Sequence, residues 1–133
     1  MTRYLLDTNV ISHLVEVPAG AAAKRINALP RASVCTSIFV AAEIHLGLAK
    51  RRSASLAERV QLVLGAIRIL PVEPPVEEVY GEVRAVLERA GTPIGANDLL
   101  IAAHALALDC TLITANEREF ARVPGLRVEN WLA

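Results

Sequence analysis

Aromatic residues are scarce in this chain: they make up 4% of its 133 residues, with a single tryptophan. Hydrophobic residues still reach 53%, so Leu, Val, Ile and Ala must fill the interior. That disfavours an aromatic-rich β sandwich and favours helices packed on a sheet. Long apolar runs are missing as well, and none approaches the ~18 residues of a membrane span. The N-terminus has no signal-peptide layout, because Asp7 interrupts it almost at once. Cysteine is limited to Cys35 and Cys110, both in apolar, strand-like stretches. They are expected to be buried free thiols in a reducing cytosol, which makes the expected location cytoplasmic. Neither sign of charge dominates, with 14 Lys and Arg against 14 Asp and Glu. A protein living on nonspecific nucleic-acid affinity is usually more basic. Charge therefore neither proposes nor excludes a nucleic-acid substrate. Repeats, low-complexity segments and long linkers are absent too, and the length suits a single domain over 1–133.

What is present is a steady alternation of strand and helix signals. Residues 3–7 read as a strand, and 8–16 as a helix capped by Thr8 or Asn9. A short helix over 21–29 is closed by Pro30. A second strand covers 33–37. The helix 37–51 carries Ile38, Phe39, Ala42, His45, Leu46 and Ala49 near one face. After the charged corner 50–53 comes an amphipathic helix, 55–67, and a short strand, 68–70. A Pro-rich turn at 71–75 leads to a helix over 76–90. A loop, 91–95, precedes a helix over 97–109 that is apolar almost all round and should be buried. Residues 111–114 form a strand, 116–123 a short helical turn, and 126–130 a last strand. This order predicts an α/β domain with a mostly parallel sheet and helices on both faces. In such sheets ligands bind beyond the carboxyl ends of the strands.

That rule directs attention to the acids. Asp7 ends the first strand in "YLLDTNVISHL". Thr114 ends a later one, with Asn116 and Glu119 following within a turn. Glu43 in "FVAAEIHLG" and Asp98 in "GANDLLIAA" stand among apolar neighbours, where an uncompensated charge is costly. Each has an ordinary explanation. Asp7 and Asp98 suit helix N-termini, Glu43 can reach water on a narrow polar face, and Glu119 can be solvated beside Glu117 and Arg118. Their conjunction is more informative. Mg2+ and Mn2+ are typically held by a few carboxylates, waters and substrate phosphate. No His or Cys pair shows zinc spacing, and "GTPIGAND" lacks the Lys-Ser/Thr of a phosphate-binding loop.

"LLDTNVIS", the Glu of "AAEIHLG", "PIGANDLLIAAHAL" and "LITANEREFARVPGLRVENW" together resemble the PIN-domain ribonucleases, and specifically the VapC toxins of type II toxin–antitoxin modules. The likeness covers nearly the whole chain, in the family's order and spacing. It implies a PIN-like three-layer α/β/α sandwich with an acidic pocket that binds Mg2+ or Mn2+. Carried over position by position, the acids are Asp7, Glu43, Asp98 and Glu119, with Asp7 and Asp98 on the metal. Many relatives have Asp at the last position, so a direct metal contact by Glu119 is the least secured. Thr8, Asn9, Thr114 and Asn116 match polar positions that support the pocket.

The resemblance makes chemical sense of the acids. A metal-activated water attacking phosphorus in line needs the metal to lower the water's pKa and offset phosphate charge. One acid, Asp98 or Glu119, would also take a proton from that water. If the 2′-OH is not the nucleophile, the products carry 5′-phosphate and 3′-OH ends. Lys50, Arg51 and Arg52 are the densest basic cluster for the RNA backbone, and Lys24, Arg25 and Arg31 the second. The family further implies a VapB antitoxin whose tail lies along a groove and puts a basic residue in the pocket. It also implies a homodimer, with higher assembly on the antitoxin, and structured RNA, often transfer RNA, as substrate. Segments 38–49 and 55–67 are the expected walls of the groove. Two alternatives remain. A strand-end Asp also serves haloacid-dehalogenase-type phosphatases, but those use Asp-x-Asp and the second site here is Asn9. A response-regulator receiver needs a Lys after a late strand, and "TLITANERE" has none. The other alternative is a catalytically weak module that only binds RNA or protein.

Overall fold

The computed structural model describes residues 2–132, so the outermost residue at each end of the expected 1–133 domain lies outside the described residues. Its elements run β1 (Arg3–Leu6), α1 (Thr8–Glu16), α2 (Ala21–Asn27), a 3-10 turn (Arg31–Ser33), β2 (Val34–Ser37), α3 (Ile38–Arg51), α4 (Ala54–Gly65), β3 (Arg68–Leu70), α5 (Val76–Arg89), α6 (Ala96–Ala107), β4 (Cys110–Ile113), α7 (Glu117–Phe120) and β5 (Val128–Glu129). The last strand is shorter than the expected 126–130, because Leu126 is held in a turn by its N–H on the Val123 carbonyl.

The five strands form one sheet in the order β3-β2-β1-β4-β5. All four pairings are parallel, so the mostly parallel expectation becomes an all-parallel sheet. Every residue of β2 (VCTS) and β4 (CTLI) is buried, as expected of strands covered on both faces. The chain builds outward from β1 through β2 to β3, then returns across the sheet to β4 and β5. With right-handed crossovers, the reversal puts α1 to α4 on one face and α5 to α7 on the other. The result is the three-layer α/β/α sandwich. The gap between β1 and β4 is the switch point where such sheets take ligands. Leu5, Leu6, Val10, Ile11, Ile101, Leu112, Ile113 and Phe120 are fully buried around it. Cys35 and Cys110 are buried and free. Among the described residues no helix is long and apolar enough to cross a membrane.

Two local expectations need correction. The cap of α1 is Asp7, not Thr8 or Asn9: its side chain accepts the Thr8 N–H at 2.8 Å. Helix α3 also faces inward differently from the apolar stripe in its sequence. Val40, Ala41 and Ile44 are buried, whereas Ile38 is 44% and Leu46 54% exposed. Of the six residues assigned to that stripe only Phe39 is partly buried against the core. The helix is apolar around most of its girth, so periodicity alone could not tell the inner stripe from the outer one.

Candidate active site

The strand ends place the polar groups. Asp7 follows β1, is 3% exposed, and divides its two oxygens between jobs. Oδ1 caps α1. Oδ2 accepts the Thr114 hydroxyl at 2.7 Å and the Asn9 amide at 3.2 Å. Thr114 follows β4, next to Asp7 because β1 and β4 are neighbours in the sheet. Its Oγ1 in turn accepts the Asn116 N–H at 3.0 Å. Asn9 closes the ring by accepting the Ala115 N–H at 2.9 Å. From α3, Glu43 joins through Thr8, whose hydroxyl donates to Glu43 Oε2 at 3.0 Å. The other oxygen, Glu43 Oε1, is buried without a hydrogen-bond partner. In α7, Glu119 accepts the Asn116 amide at 2.6 Å and the Gly95 N–H at 2.8 Å. Asp98 lies in the first turn of α6, and a Cβ built on Gly95 would sit 3.7 Å from both Asp98 Oδ2 and Glu119 Oε1. The structure thus brings Asp7, Glu43, Asp98 and Glu119 to the switch point, with Thr8, Asn9, Thr114 and Asn116 hydrogen-bonded among them.

The electrostatics follow from this crowding. Burial, then Glu119 through its charge and its close side-chain contact, then the charges of Asp7 and Glu43, push the Asp98 carboxyl up to about 7. Asp7 is also raised, chiefly by burial, against the opposing pull of its Thr114, Thr8 and Asn9 hydrogen bonds. Glu119 goes the other way, because the Gly95 N–H stabilises its ionised form. A site that raises two carboxylates by burial and mutual repulsion, and leaves a buried oxygen of a third unpartnered, is short of positive charge. Its donors are hard oxygens, which fits Mg2+ or Mn2+. Among the described residues, no group of three or more His, Cys, Asp or Glu side chains is arranged to hold a metal ion by itself. The fit is therefore to an ion held by one or two carboxylates, with water and phosphate completing its shell.

The basic clusters separate. Arg51 and Glu43 line the same groove of about 240 Å³ between α1, α3 and α4, whose walls include Val15, Ile44 and Leu56. The groove expected from segments 38–49 and 55–67 therefore has α1 as a third wall. Arg25 is occupied elsewhere, stacked 5.3 Å over Trp131 and 3.6 Å from Glu129. Arg31 lines a different cavity, beside Leu29 and Val34, and Lys24 is exposed near Trp131. The sequence reading overlooked His104. It is fully buried on α6, with Nδ1 2.7 Å from Ser37 Oγ and Nε2 3.1 Å from the Pro71 carbonyl. Its only signal was a lone histidine within an otherwise apolar helix.

An all-parallel α/β/α sandwich with acids gathered at its switch point defines the class. The PIN domain family model matches residues 4–126. The chain is 34% identical over 130 residues to ribonuclease VapC2 of Rickettsia felis, covering 96% of this chain and 97% of that protein. It is 31% identical over 135 residues to the tRNA(fMet)-specific endonuclease VapC of Salmonella typhimurium, covering 98% of this chain and 99% of that one. Among solved structures, VapBC2 of Rickettsia felis bound to a DNA fragment from its promoter superposes with a TM-score of 0.91 at 32% identity, covering 98% of this chain and 99% of that one. The chain belongs to the PIN domain family, in its VapC branch.

Proposed function

We propose that this protein is an endoribonuclease toxin that cuts structured RNA with a divalent cation, and that a VapB-type antitoxin holds it inactive. The observation that carries the reading is Glu43 Oε1, a buried carboxylate oxygen without a partner beside acids whose charges repel. Asp7 and Asp98 would hold Mg2+ or Mn2+. Bound there, the ion would supply an acidified water and neutralise charge on the phosphate. The protein's own part is orientation and proton handling. Thr114 and Asn9 fix the Asp7 carboxylate, and Thr8 fixes that of Glu43. Without the ion, burial and the neighbouring acids hold the Asp98 carboxyl near 7, so loading the cation would displace its proton. The phosphatase alternative has less support, since the Asn9 side chain is spent on Asp7, Thr114 and the Ala115 N–H.

The Salmonella relative's name makes transfer RNA the first substrate to try. The antitoxin tail suits the groove between α1, α3 and α4. One end meets Thr8 and Glu43, where a basic side chain would find acids, and its floor is apolar. A second copy of the chain suits the outward face of α3, where Ile38 and Leu46 are exposed. The test is cleavage of transfer RNA by purified protein with Mg2+, Mn2+ or EDTA, beside the Asp98→Asn variant and p-nitrophenyl phosphate. The N-cap of α6 is Gly95, not Asp98, so the variant should fold while cleavage falls on the order of 10²-fold or more. Undiminished cleavage by folded Asp98→Asn would remove Asp98 from the site. A wild type that binds RNA but cuts none with either metal would favour the binding module.

A further inference from the structure

The fourth acid of the pocket is a glutamate, and donors from two segments engage both of its oxygens. Oε1 accepts the Gly95 N–H at 2.8 Å, and Oε2 accepts the Asn116 side-chain amide at 2.6 Å. Gly95 is the N-cap of α6 and offers no capping side chain of its own. Three residues past Glu119, Arg122 donates from Nη1 to the Pro93 carbonyl at 2.9 Å. Helix α7 and the turn after it thus grip the loop 91–95 at two points, and that loop delivers Asp98 to the pocket three residues later. We propose that Glu119 is a positioning residue that clamps the start of α6 and so aims Asp98, instead of ligating the cation itself.

Two features support the clamp. An acid at the start of α6 is favoured by the exposed N–H groups and the dipole of a 12-residue helix. The reach also requires Glu. Asp would withdraw the carboxylate by about 1.5 Å, which takes a 2.8 Å bond beyond hydrogen-bond length. Gln would keep one oxygen for the Gly95 N–H but lose the charge. Clamp and metal ligand therefore predict opposite orders of sensitivity.

The catalytic consequence rests on the ribonuclease reading, whereas the structural one does not. The experiment measures hydrogen exchange at the Gly95 amide, Mn2+ affinity, and RNA cleavage for wild type, Glu119→Gln and Glu119→Asp. If Glu119 is the clamp, Asp speeds Gly95 exchange about tenfold or more and cuts cleavage on the order of 10²-fold. Gln then keeps Gly95 protected, holds Mn2+ within a few-fold of wild type, and loses about tenfold in cleavage. The proposal is overturned if Gln loses Mn2+ binding while Asp retains it. It is equally overturned if Gly95 exchange is the same in all three proteins. A wild type that cleaves no RNA would sink the ribonuclease reading, and the exchange and Mn2+ results would still decide the clamp.

Discussion

Asp7 serves two elements with one carboxylate. Oδ1 starts α1, and Oδ2 gathers Thr114 and Asn9 at the end of the neighbouring strand. Removing both functions should cost more than removing the charge. In metal-free buffer Asp7→Ala is expected to lose about 2 kcal/mol, from the cap and the orphaned donors. Asp7→Asn keeps an oxygen for the Thr8 N–H and relieves a buried charge, but turns an amide toward the Asn9 amide. It should melt within about 1 kcal/mol of wild type and bind Mn2+ more weakly. A loss for Asn as large as for Ala, in melts without metal, would show that the hydrogen-bond ring outweighs the charge. Asp98 adds a pH dependence. Its folded pKa, about 7, lies above the ordinary aspartate value of 3.8. Between those values the folded protein keeps a proton that the unfolded chain has lost, so this group makes stability fall as pH rises. The slope ends above about 7, and Asp98→Asn should remove it. Thermal melts from pH 4 to 8 without metal check this. Parallel curves for the two proteins would contradict it.

At the scale of elements, His104 ties together the helices that carry Glu43 and Asp98. A carbonyl can only accept, so Nε2 bears the proton to Pro71 and Nδ1 accepts from the Ser37 hydroxyl. Ser37 in turn caps α3 by accepting the Phe39 N–H at 3.0 Å. Burial lowers the His104 pKa, so protonation is disfavoured in the fold. Its contribution is whole above the unfolded value of about 6.5 and is lost as pH falls below it, opposite in sign to Asp98. His104→Leu leaves the Ser37 hydroxyl and Pro71 carbonyl without this partner. We expect a loss of about 1–3 kcal/mol at pH 7 and a smaller further loss on going to pH 5 than in wild type. An unchanged acid limb in the melts would show that another group governs it. Elements of this kind were unevenly legible in the sequence. The strand–helix alternation gave the class and almost every element, because each strand is a short apolar run bounded by turn residues. Strand order was not legible: nothing local in "LLD" or "LIT" says that β4 returns across the sheet to lie beside β1. That return sets Thr114 against Asp7. Glu43 and Asp98 were visible as charges in apolar surroundings, whereas His104 looked like one more member of a buried helix. The stripe on α3 misled because the helix is apolar on its outer face as well.

For the whole molecule, net charge is zero, so any grip on RNA depends on where the positive charges lie. The structure separates the two basic clusters that the sequence presented side by side. Arg25 is committed to Trp131 and Glu129. Lys50, Arg51 and Arg52 are exposed at the corner between α3 and α4, and Arg51 reaches the groove that begins at Glu43. We expect RNA bound at the acids to pass this corner, where its phosphates would release counterions. Each phosphate contact contributes about 0.7 to 0.9 to the slope of log affinity against log salt. Replacing all three residues with Ala should flatten that slope by about 2 and weaken RNA binding most at low salt. Melting temperature should hardly move, because these side chains are exposed. Arg25→Ala should do the reverse, costing about 0.5–1 kcal/mol through the lost stacking on Trp131 with little change in slope. Filter binding of RNA from 50 to 300 mM salt, beside thermal melts, separates the two. An unchanged slope in the triple variant would remove the 50–52 corner from the RNA path, and a flattened slope in Arg25→Ala would move that path to the α2 side of the molecule.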